Sequence, residues 1–342
     1  MKAIRRHLAW LIAIVPAAVF VGMLVHRAVN PTPSANADDM DTTTTRAQEP
    51  ANDVEHWPGR ERSRLLAHER LPAPYEQLKP LYTYKSAPRA SDWLASHKEP
   101  GRTFSGYKRS DPVRPTPERR TLYVLPLGQF SDAQMRVLRL TVEYMRLYFM
   151  TPVKLKPVRP LRDVPAKARR QRFGTTQILS TWVMHDVLMP ARADDALATI
   201  AFCSNDLWPG RGWNFVYGQA SLRQRVGVWS IHRNGAPAVS DEAFKTCLVR
   251  TLKTAVHEAG HMLGLLHCIA YECCMNGSNH RQESDSRPLG LCPICLAKLC
   301  WNVRCDPAER YRGLLEFCRR EGLGQPAAAF QKALEKLADA PE

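Results

Sequence analysis

The chain has 342 residues, 44% of them hydrophobic, and a formal net charge of +15 at pH 7. This length and composition exclude a chain too small to bury a core, and they indicate one main domain once the two ends are set aside. The charge alone does not require a nucleic-acid or membrane partner, because much of it lies in one short stretch of the chain.

An apolar segment lies close to the N-terminus. Leu8–Val25 holds 18 uncharged, mostly apolar positions, which is just enough for a helix that crosses a bilayer. Basic residues precede it, so the N-terminus is predicted to be cytoplasmic and the bulk of the chain outside. The alternative is a signal peptide cleaved after Ala35-Asn36-Ala37, which would release a secreted or periplasmic protein. We favour an uncleaved, single-pass membrane anchor over residues 1–27.

The predicted domain boundaries follow from shifts in composition. Residues 28–56 are rich in Pro, Thr, Asp and Ala, and we predict a disordered, Pro-rich linker over residues 28–75. The main domain is predicted over residues 76–320. Residues 321–342 are predicted to form a C-terminal tail helix.

Strand and helix patterns alternate from residue 122 onward. Ser131 and Gln134 form a capping box at the start of a helix that continues to about Met150. A second helix is predicted over Gln177–Leu188. The order predicts an α+β (α/β-like) fold with a twisted mixed sheet. The predicted strands are Leu122–Leu127, Val153–Leu155, Leu197–Phe202, Asn214–Tyr217 and Val226–His232.

A basic stretch follows the second predicted strand. It could bind nucleic acid or an anionic membrane, but no stacking aromatic residues are interleaved in it. We therefore interpret it as a solvated loop and helix face, and we expect no nucleic-acid partner. Its members are Lys154, Lys156, Arg159, Arg162, Lys167, Arg169, Arg170 and Arg172.

A long helix is predicted to begin near Asp241, with Ser240 as its N-cap, and to carry a metal-binding motif near its end. His257 and His261 are four residues apart, so both imidazoles lie on one helix face and can bind one ion. Gly264 tolerates left-handed backbone angles and can end the helix, which lets His267 return as a third ligand. Three neutral nitrogens leave a fourth position open, as in a catalytic zinc site.

Glu258 lies beside the first of these histidines. It can reach a water in the open position without binding the metal itself. Zinc lowers the pKa of such a water, and Glu258 would act as the general base that takes its proton and passes it to a leaving amine. The motif therefore predicts a zinc-dependent hydrolase.

Four cysteines follow the third histidine. Their spacing, with a Cys-x-x-Cys pair at the end, predicts a closed tetrahedral site of four thiolates, which is structural because it leaves no room for water. An alternative set is Cys292, Cys295, Cys300 and Cys305. The redox states of Cys274, Cys300, Cys305 and Cys318 stay open. The preferred set is Cys268, Cys273, Cys292 and Cys295.

Met275 lies between the cysteine pairs, just before the turn signal Asn276-Gly277. This position indicates a hydrophobic floor beneath the metal. A HExxHxxGxxH motif followed by such a methionine resembles the metzincin clan of zinc peptidases, and the four added cysteines resemble one branch, the archaemetzincins. The resemblance also includes the upstream segments 123–128, 206–209 and 213–220.

The resemblance implies a metzincin-like catalytic domain with an active-site helix, a Met-turn and a C-terminal helical subdomain pinned by a second zinc. It implies two Zn²⁺ per chain, a peptide or protein substrate and an aminopeptidase type of cleavage. In such enzymes an edge strand pairs with the substrate, and Val226–His232 is the candidate, although it could equally be internal. We expect a monomer. The alternative function is a zinc-stabilised binding module with a vestigial catalytic site.

Overall fold

The computed structural model describes residues 59–162 and 164–339. The strands are β1 (Thr121–Leu127), β2 (Val153–Leu155), β3 (Arg169–Arg172), β4 (Thr175–Leu179), β5 (Ala196–Cys203), β6 (Asp206–Trp208), β7 (Gly218–Ala220) and β8 (Val226–Ser230). The helices are α1 (Gly59–Ala67), α2 (Ala73–Glu76), α3 (Trp93–Ser96), α4 (Phe104–Arg109), α5 (Asp132–Phe149), α6 (Ser180–Trp182), α7 (Asp241–Met262), α8 (Arg281–Ser286), α9 (Pro293–Val303), α10 (Pro307–Arg320) and α11 (Gly324–Ala338).

A five-stranded mixed sheet forms the centre, with the strand order β2-β1-β5-β8-β7. Its first four strands run parallel, and β7 is antiparallel to β8 at one edge. Every residue of β5 is buried, as expected for a strand covered on both faces by helices and loops. A second sheet, with the order β3-β4-β6, lies alongside. This architecture confirms the predicted α+β class with a mixed sheet.

Helix α5 begins and ends as its sequence predicts. The Ser131 side chain accepts a hydrogen bond from the Gln134 amide, while the Gln134 side chain binds back to the Ser131 amide. Met150 has a left-handed conformation with φ of 47° and ends the helix. Its buried face includes Val137 and Phe149, and α5 packs against both α7 and α10.

Helix α7 carries the metal motif and packs against β5, β7 and β8 of the central sheet. The Ser240 hydroxyl accepts a hydrogen bond from the Ala243 amide, which confirms the predicted N-cap. Gly264 follows the helix with φ of +82°, in the left-handed region that favours glycine. The Tyr107 hydroxyl donates a 2.6 Å hydrogen bond to the Leu263 carbonyl and satisfies one free group at this helix end.

Two predicted elements differ from the structure. The helix predicted over Gln177–Leu188 is wrong in its first part, because Thr175–Leu179 is strand β4, which pairs with β3 and β6. The helix begins only at Ser180 and continues as a π-helix over Val183–Leu188. The strand predicted over Asn214–Tyr217 is also wrong: Val216 makes an isolated bridge to Leu207, and the regular strand β7 starts at Gly218.

The edge strand of the central sheet is not the strand that the sequence suggested for pairing with the substrate. Strand β8 (Val226–Ser230) is internal, between β5 and β7. The residues before it fold back as a hairpin, so β7 covers β8 and becomes the edge. The edge strands of the central sheet are therefore β2 and β7, and of the two β7 packs against α7.

The predicted membrane localisation requires correction. The apolar segment Leu8–Val25 lies outside the described residues. Over residues 59–162 and 164–339, no helix combines the length and the apolar character that a bilayer crossing needs. The longest of these helices, α7, has 22 residues but carries charged residues in its first turn. This finding contradicts the predicted single-pass membrane localisation for the part of the chain that the structure describes.

Helices α9, α10 and α11 form the C-terminal region. Cys292 is the N-cap residue of α9, and Pro293 occupies its first turn. Helix α11 packs on α10, with the Phe330 and Tyr311 ring centroids 5.7 Å apart. Within the stretch predicted as a linker, α1 is helical and buries Leu65. The boundaries at residues 75 and 320 stay predictions.

Two glycines with nearly equal φ angles allow a test of the turn after α7. Gly264 and Gly212 have φ of +82° and +86°, but only at Gly264 would an added Cβ collide, 2.7 Å from Pro112 Cβ. Gly264→Ala should therefore lower the free energy of unfolding by about 1–3 kcal/mol more than Gly212→Ala. Urea unfolding of the zinc-loaded protein measures both. Equal losses would mean that the contact with Pro112 does not constrain the turn.

Candidate functional site

Three histidines converge at the C-terminal end of α7. The ligand nitrogens of His257, His261 and His267 all lie within 4.8 Å of one another, and all three side chains are buried. His257 and His261 are one helical turn apart, with their Nε2 atoms at 3.1 Å. His267 reaches them from the segment after Gly264. The predicted histidines are thus brought together as their spacing indicates.

Each of these histidines has its other ring nitrogen tethered. When Nδ1 donates a proton to an oxygen, Nε2 keeps its lone pair and can bind a cation. The three acceptors are Cys274 O for His257 at 2.9 Å, Leu265 O for His261 at 2.6 Å and Glu99 Oε1 for His267 at 2.8 Å. The lone pairs of three Nε2 atoms therefore point at one another, which is unfavourable unless a cation lies between them.

The separation of the nitrogens fits zinc. In a tetrahedron with zinc–nitrogen distances of about 2.0–2.1 Å, the nitrogens lie about 3.3–3.4 Å apart. The pair at 3.1 Å is close to this value. The Nε2 atom of His267 is buried and has no hydrogen-bond partner in the described part of the chain. A metal ion is the partner that would satisfy it.

Burial keeps the imidazoles of His257 and His261 in the neutral form that binds metal. Burial and the neighbouring His261 hold the pKa of His257 well below its usual range. Burial and His267 lower the pKa of His261 to about 3. Neutral imidazole is the ligand form, so the site is arranged to bind a cation without first losing protons.

Glu258 belongs to α7, and its side chain contacts Gly218 at the start of the edge strand β7. Its side chain is fully buried, and neither carboxylate oxygen has a hydrogen-bond partner among residues 59–162 and 164–339. Burial raises the pKa of this carboxyl well above its usual range, although Arg287 opposes the shift. A Cβ at Gly218 would lie 2.8 Å from Glu258 Cγ, so only glycine leaves room for this side chain.

Met275 lies directly under the metal helix. It is buried, and a Cβ at Gly260 would lie only 2.8 Å from its sulfur. Its carbonyl accepts a hydrogen bond of 2.8 Å from the Cys268 amide. The methionine therefore lies beneath the turn of α7 that carries His261, in the floor position suggested by the sequence.

Arg287 is a buried cation that sequence reasoning missed. It donates hydrogen bonds to Asn276 O at 2.6 Å and Ser284 Oγ at 2.9 Å. Its Nη1 also lies 3.2 Å from His257 Nδ1. Arg287 thereby ties the turn after Met275 to α8 and lies beside the first histidine. No local sequence pattern marks this role.

Glu99 was also missed. Its Oε1 accepts hydrogen bonds from His267 Nδ1 at 2.8 Å and from Trp93 Nε1 at 2.9 Å. Burial would raise the pKa of Glu99, but its hydrogen bonds with His267 and Trp93 act against burial, and the pKa is lowered. Glu99 therefore orients the third histidine from a position 168 residues away along the chain.

The four predicted cysteines form a second cluster. The sulfurs of Cys268, Cys273, Cys292 and Cys295 lie within 4.8 Å of one another, and all are buried. The Cys268 and Cys292 sulfurs are 3.7 Å apart. In a tetrahedron with zinc–sulfur distances of about 2.3 Å, the sulfurs lie about 3.8 Å apart. The cluster therefore has the size that zinc needs.

The thiols of this cluster shift one another's pKa in opposite directions. Cys273 Sγ accepts hydrogen bonds from the Met275 amide at 3.4 Å and the Cys292 amide at 3.3 Å. Hydrogen bonds from the other three cysteines lower the pKa of Cys268 well below its usual range, whereas burial raises the pKa of Cys273 and of Cys292 well above theirs. The alternative set with Cys300 and Cys305 is not assembled, because their sulfurs pair with each other at 3.2 Å.

A third group of possible ligands consists of Asp92, His280 and Glu283. His280 Nδ1 accepts a 3.2 Å hydrogen bond from the Glu283 amide and caps α8. Its Nε2 therefore carries the proton and donates to Asp92 Oδ1 at 3.1 Å. With both ring nitrogens used, this group links α8 to the segment before α3 and does not resemble a metal site.

Comparisons with known proteins agree with the geometry. The profile of Peptidase family M54 matches residues 183–300. Archaemetzincin-2 of Macaca fascicularis is 33% identical over 289 residues, covering 74% of this chain and 79% of that protein. Archaemetzincin of Thermococcus kodakarensis is 39% identical over 117 residues, covering 33% of this chain and 60% of that protein.

Among solved structures, archaemetzincin from Methanopyrus kandleri is 26% identical, with a TM-score of 0.46, and the match covers 56% of this chain and 99% of that one. The assignment rests on the sequence relatives, of which the Macaca protein is 33% identical and is covered over 79% of its length. The chain belongs to the archaemetzincin family, peptidase family M54, and is a zinc metallopeptidase.

Proposed function

We propose that this metallopeptidase holds its catalytic zinc on His257, His261 and His267 and uses Glu258 as the general base. The observation that carries the proposal is the meeting of three Nε2 lone pairs beside a carboxylate without hydrogen-bond partners among the described residues. Zinc in this position supplies a Lewis acid that polarises a carbonyl and lowers the pKa of a water.

The residues of the chain perform the remaining steps. A peptide laid along β7 would pair its backbone with the outer edge of that strand, whose three residues are buried, whatever the sequence of the peptide. Gly218 lies at the start of this edge and in contact with Glu258, so a bound peptide passes the carboxylate. Glu258 accepts a proton from the attacking water and passes it to the leaving amine, which completes hydrolysis.

We further propose a structural zinc on the cysteine cluster. Cys268 directly follows the third histidine, and Cys292 and Cys295 lie at the start of α9. A metal bound there would fix the loop after His267 to the C-terminal helices and so hold His267 in place. Two zinc ions per chain follow from this assignment.

An aminopeptidase type of cleavage requires an acidic group that binds the free amine of the substrate. Glu99 is a candidate, because it lies beside His267 and is ionised at neutral pH. Both of its hydrogen bonds, from His267 and Trp93, end on Oε1. Its Oε2 can therefore accept a further donor, and we assign the substrate ammonium to it.

Glu258→Gln should keep both metals and lower kcat by about 10²- to 10⁴-fold, because the base is removed while every ligand stays. The glutamine is close in size, so the protein should fold. Steady-state hydrolysis of peptides, with zinc content measured on the same samples, checks this. Retained hydrolysis would exclude Glu258 as the base. A zinc-loaded wild-type protein that binds peptides without hydrolysing them would favour the binding-module alternative.

Metal content tests the two sites separately. The full-length protein should contain two zinc ions per chain, and the double variant His257→Ala, His261→Ala should contain one. Cys292→Ser should also contain one, with a large loss of stability, since a structural metal contributes free energy to folding. Mass spectrometry under native conditions measures all three. If the wild-type protein contains one zinc and the double histidine variant also contains one, the histidines bind no zinc.

Glu99→Gln separates orientation of His267 from recognition of the amine. It should weaken zinc binding at the histidine site by about 10- to 100-fold, because the oriented tautomer loses its charged partner. With zinc restored in excess, the variant should show a smaller preference for peptides with a free N-terminus over N-acetylated peptides. The change should appear in KM. A wild-type protein that hydrolyses both equally would exclude the aminopeptidase assignment. Control measurements use Glu272→Gln, a carboxylate paired with Lys85.

A further inference from the structure

A group of arginines surrounds the residues that precede β7. We call it the arginine cluster, and its members are Arg170, Arg172, Arg233, Arg250 and Arg281. We propose that the cluster binds a carboxylate of the substrate, so that the enzyme prefers peptides with an acidic residue beside the cleaved bond. This inference rests on the proposed peptidase function and names its substrate class.

The cluster is connected to Glu258 through two consecutive residues at the start of β7. Gly218 contacts Glu258, and Tyr217, the residue before it, lies under the Arg281 guanidinium at 4.2 Å from the ring centroid. Consecutive strand residues are about 3.4 Å apart. A peptide that follows the edge of β7 past Glu258 therefore comes within side-chain reach of Arg281.

Aromatic rings form the floor of the cluster. The Arg233 guanidinium lies 3.6 Å from the Phe215 ring centroid, and the Phe215 and Tyr217 rings pack edge to face at 5.4 Å. Both rings are buried. Stacking on a ring holds a guanidinium in place while its edge keeps its N–H groups free for an anion.

Two arginines of the cluster already have carboxylate partners. Arg233 binds Asp206 at 2.8 and 2.6 Å, and Arg250 binds Asp285 at 3.0 and 2.6 Å. Arg281 has only a distant approach to Asp285, at 4.0 Å. The guanidinium groups thus outnumber the carboxylates that pair with them, and the local potential favours a further anion.

Arg281 keeps donors for that anion. Its hydrogen bonds in the described structure use Nη2, which donates to Arg233 O at 2.5 Å and Asn234 Oδ1 at 3.3 Å. A guanidinium has five N–H groups; Nη1 already faces Asp285 Oδ1 at 4.0 Å, so Nε is the donor that we assign to a substrate carboxylate. A quarter of the side chain is exposed, at 25%, which leaves it accessible to a substrate.

Two arginines of the cluster, Arg170 and Arg172, belong to the basic stretch that we interpreted from the sequence as a solvated surface. Arg170 donates to the carbonyls of Trp213 and Asn214, and Arg172 donates to Asn214 Oδ1. These contacts hold both guanidiniums against the segment that leads into β7. Because Arg281 lies over Tyr217, the residue before Gly218, a peptide bound along β7 would reach the cluster, and we therefore assign it to an acidic peptide.

The test uses Ala-based hexapeptides with free N-termini, each carrying one Glu or one Gln at a given position. For the zinc-loaded wild-type protein, kcat/KM should be roughly tenfold higher for Glu than for Gln at one position next to the cleaved bond. Arg281→Ala should remove that ratio and leave the Gln peptides within about twofold of wild type. Arg281→Lys should keep part of it. The matched control is Arg320→Ala, since Arg320 pairs with Glu143 on the far helices.

Three outcomes would overturn the proposal. The first is equal kcat/KM for Glu and Gln peptides at every position. The second is a loss in Arg281→Ala that is the same for both peptides, which would mean a purely structural role. The third comes from equilibrium binding of the same fluorescent peptides and of a single-stranded oligonucleotide: stronger binding of the oligonucleotide through Arg281 would assign the cluster to nucleic acid. Because binding needs no turnover, it reads the preference even if hydrolysis fails.

Discussion

The structure of the site depends on three imidazole rings whose lone pairs meet at one point. Such an arrangement is repulsive by itself, so it requires both tethers behind the rings and a cation between them. The tethers come from three separate parts of the chain: Cys274 O in the turn by Met275, Leu265 O after the helix, and Glu99 far upstream. The fold around α7 can be understood as the means of holding these acceptors in place.

This requirement explains why the region after α7 is so closely packed. The segment turns at Gly264, returns with His267 and enters the cysteine cluster at the next residue. Arg287 then binds the Asn276 carbonyl and lies beside His257. A movement in any of these parts would shift a ring nitrogen, and an error of about 1 Å at a catalytic group is costly. On the proposed function, the second metal is placed where it limits that movement.

The sequence predicted those parts of the site that depend on local geometry. Residues four apart on a helix share a face, so the pairing of His257 and His261 follows from spacing alone, as does the N-cap Ser240. Glu99, Gly218 and Arg287 could not be predicted, because each acts through a contact that only the tertiary fold creates. The same reason applies to β4 and β7, where pairing with distant strands outweighed the local pattern.

Strand β7 links the two inferences about function. A strand edge binds peptide backbone without regard to sequence, so it supplies affinity but no selectivity. Selectivity must then come from side chains near the same edge, and two consecutive residues bring opposite charges to it: Gly218 admits Glu258, and Tyr217 supports Arg281. A carboxylate on the substrate would be attracted by Arg281 and repelled by Glu258. Its favourable position along the edge is therefore on the side of Arg281. Charge, more than the volume of a pocket, would in this way set the register of the peptide relative to Glu258.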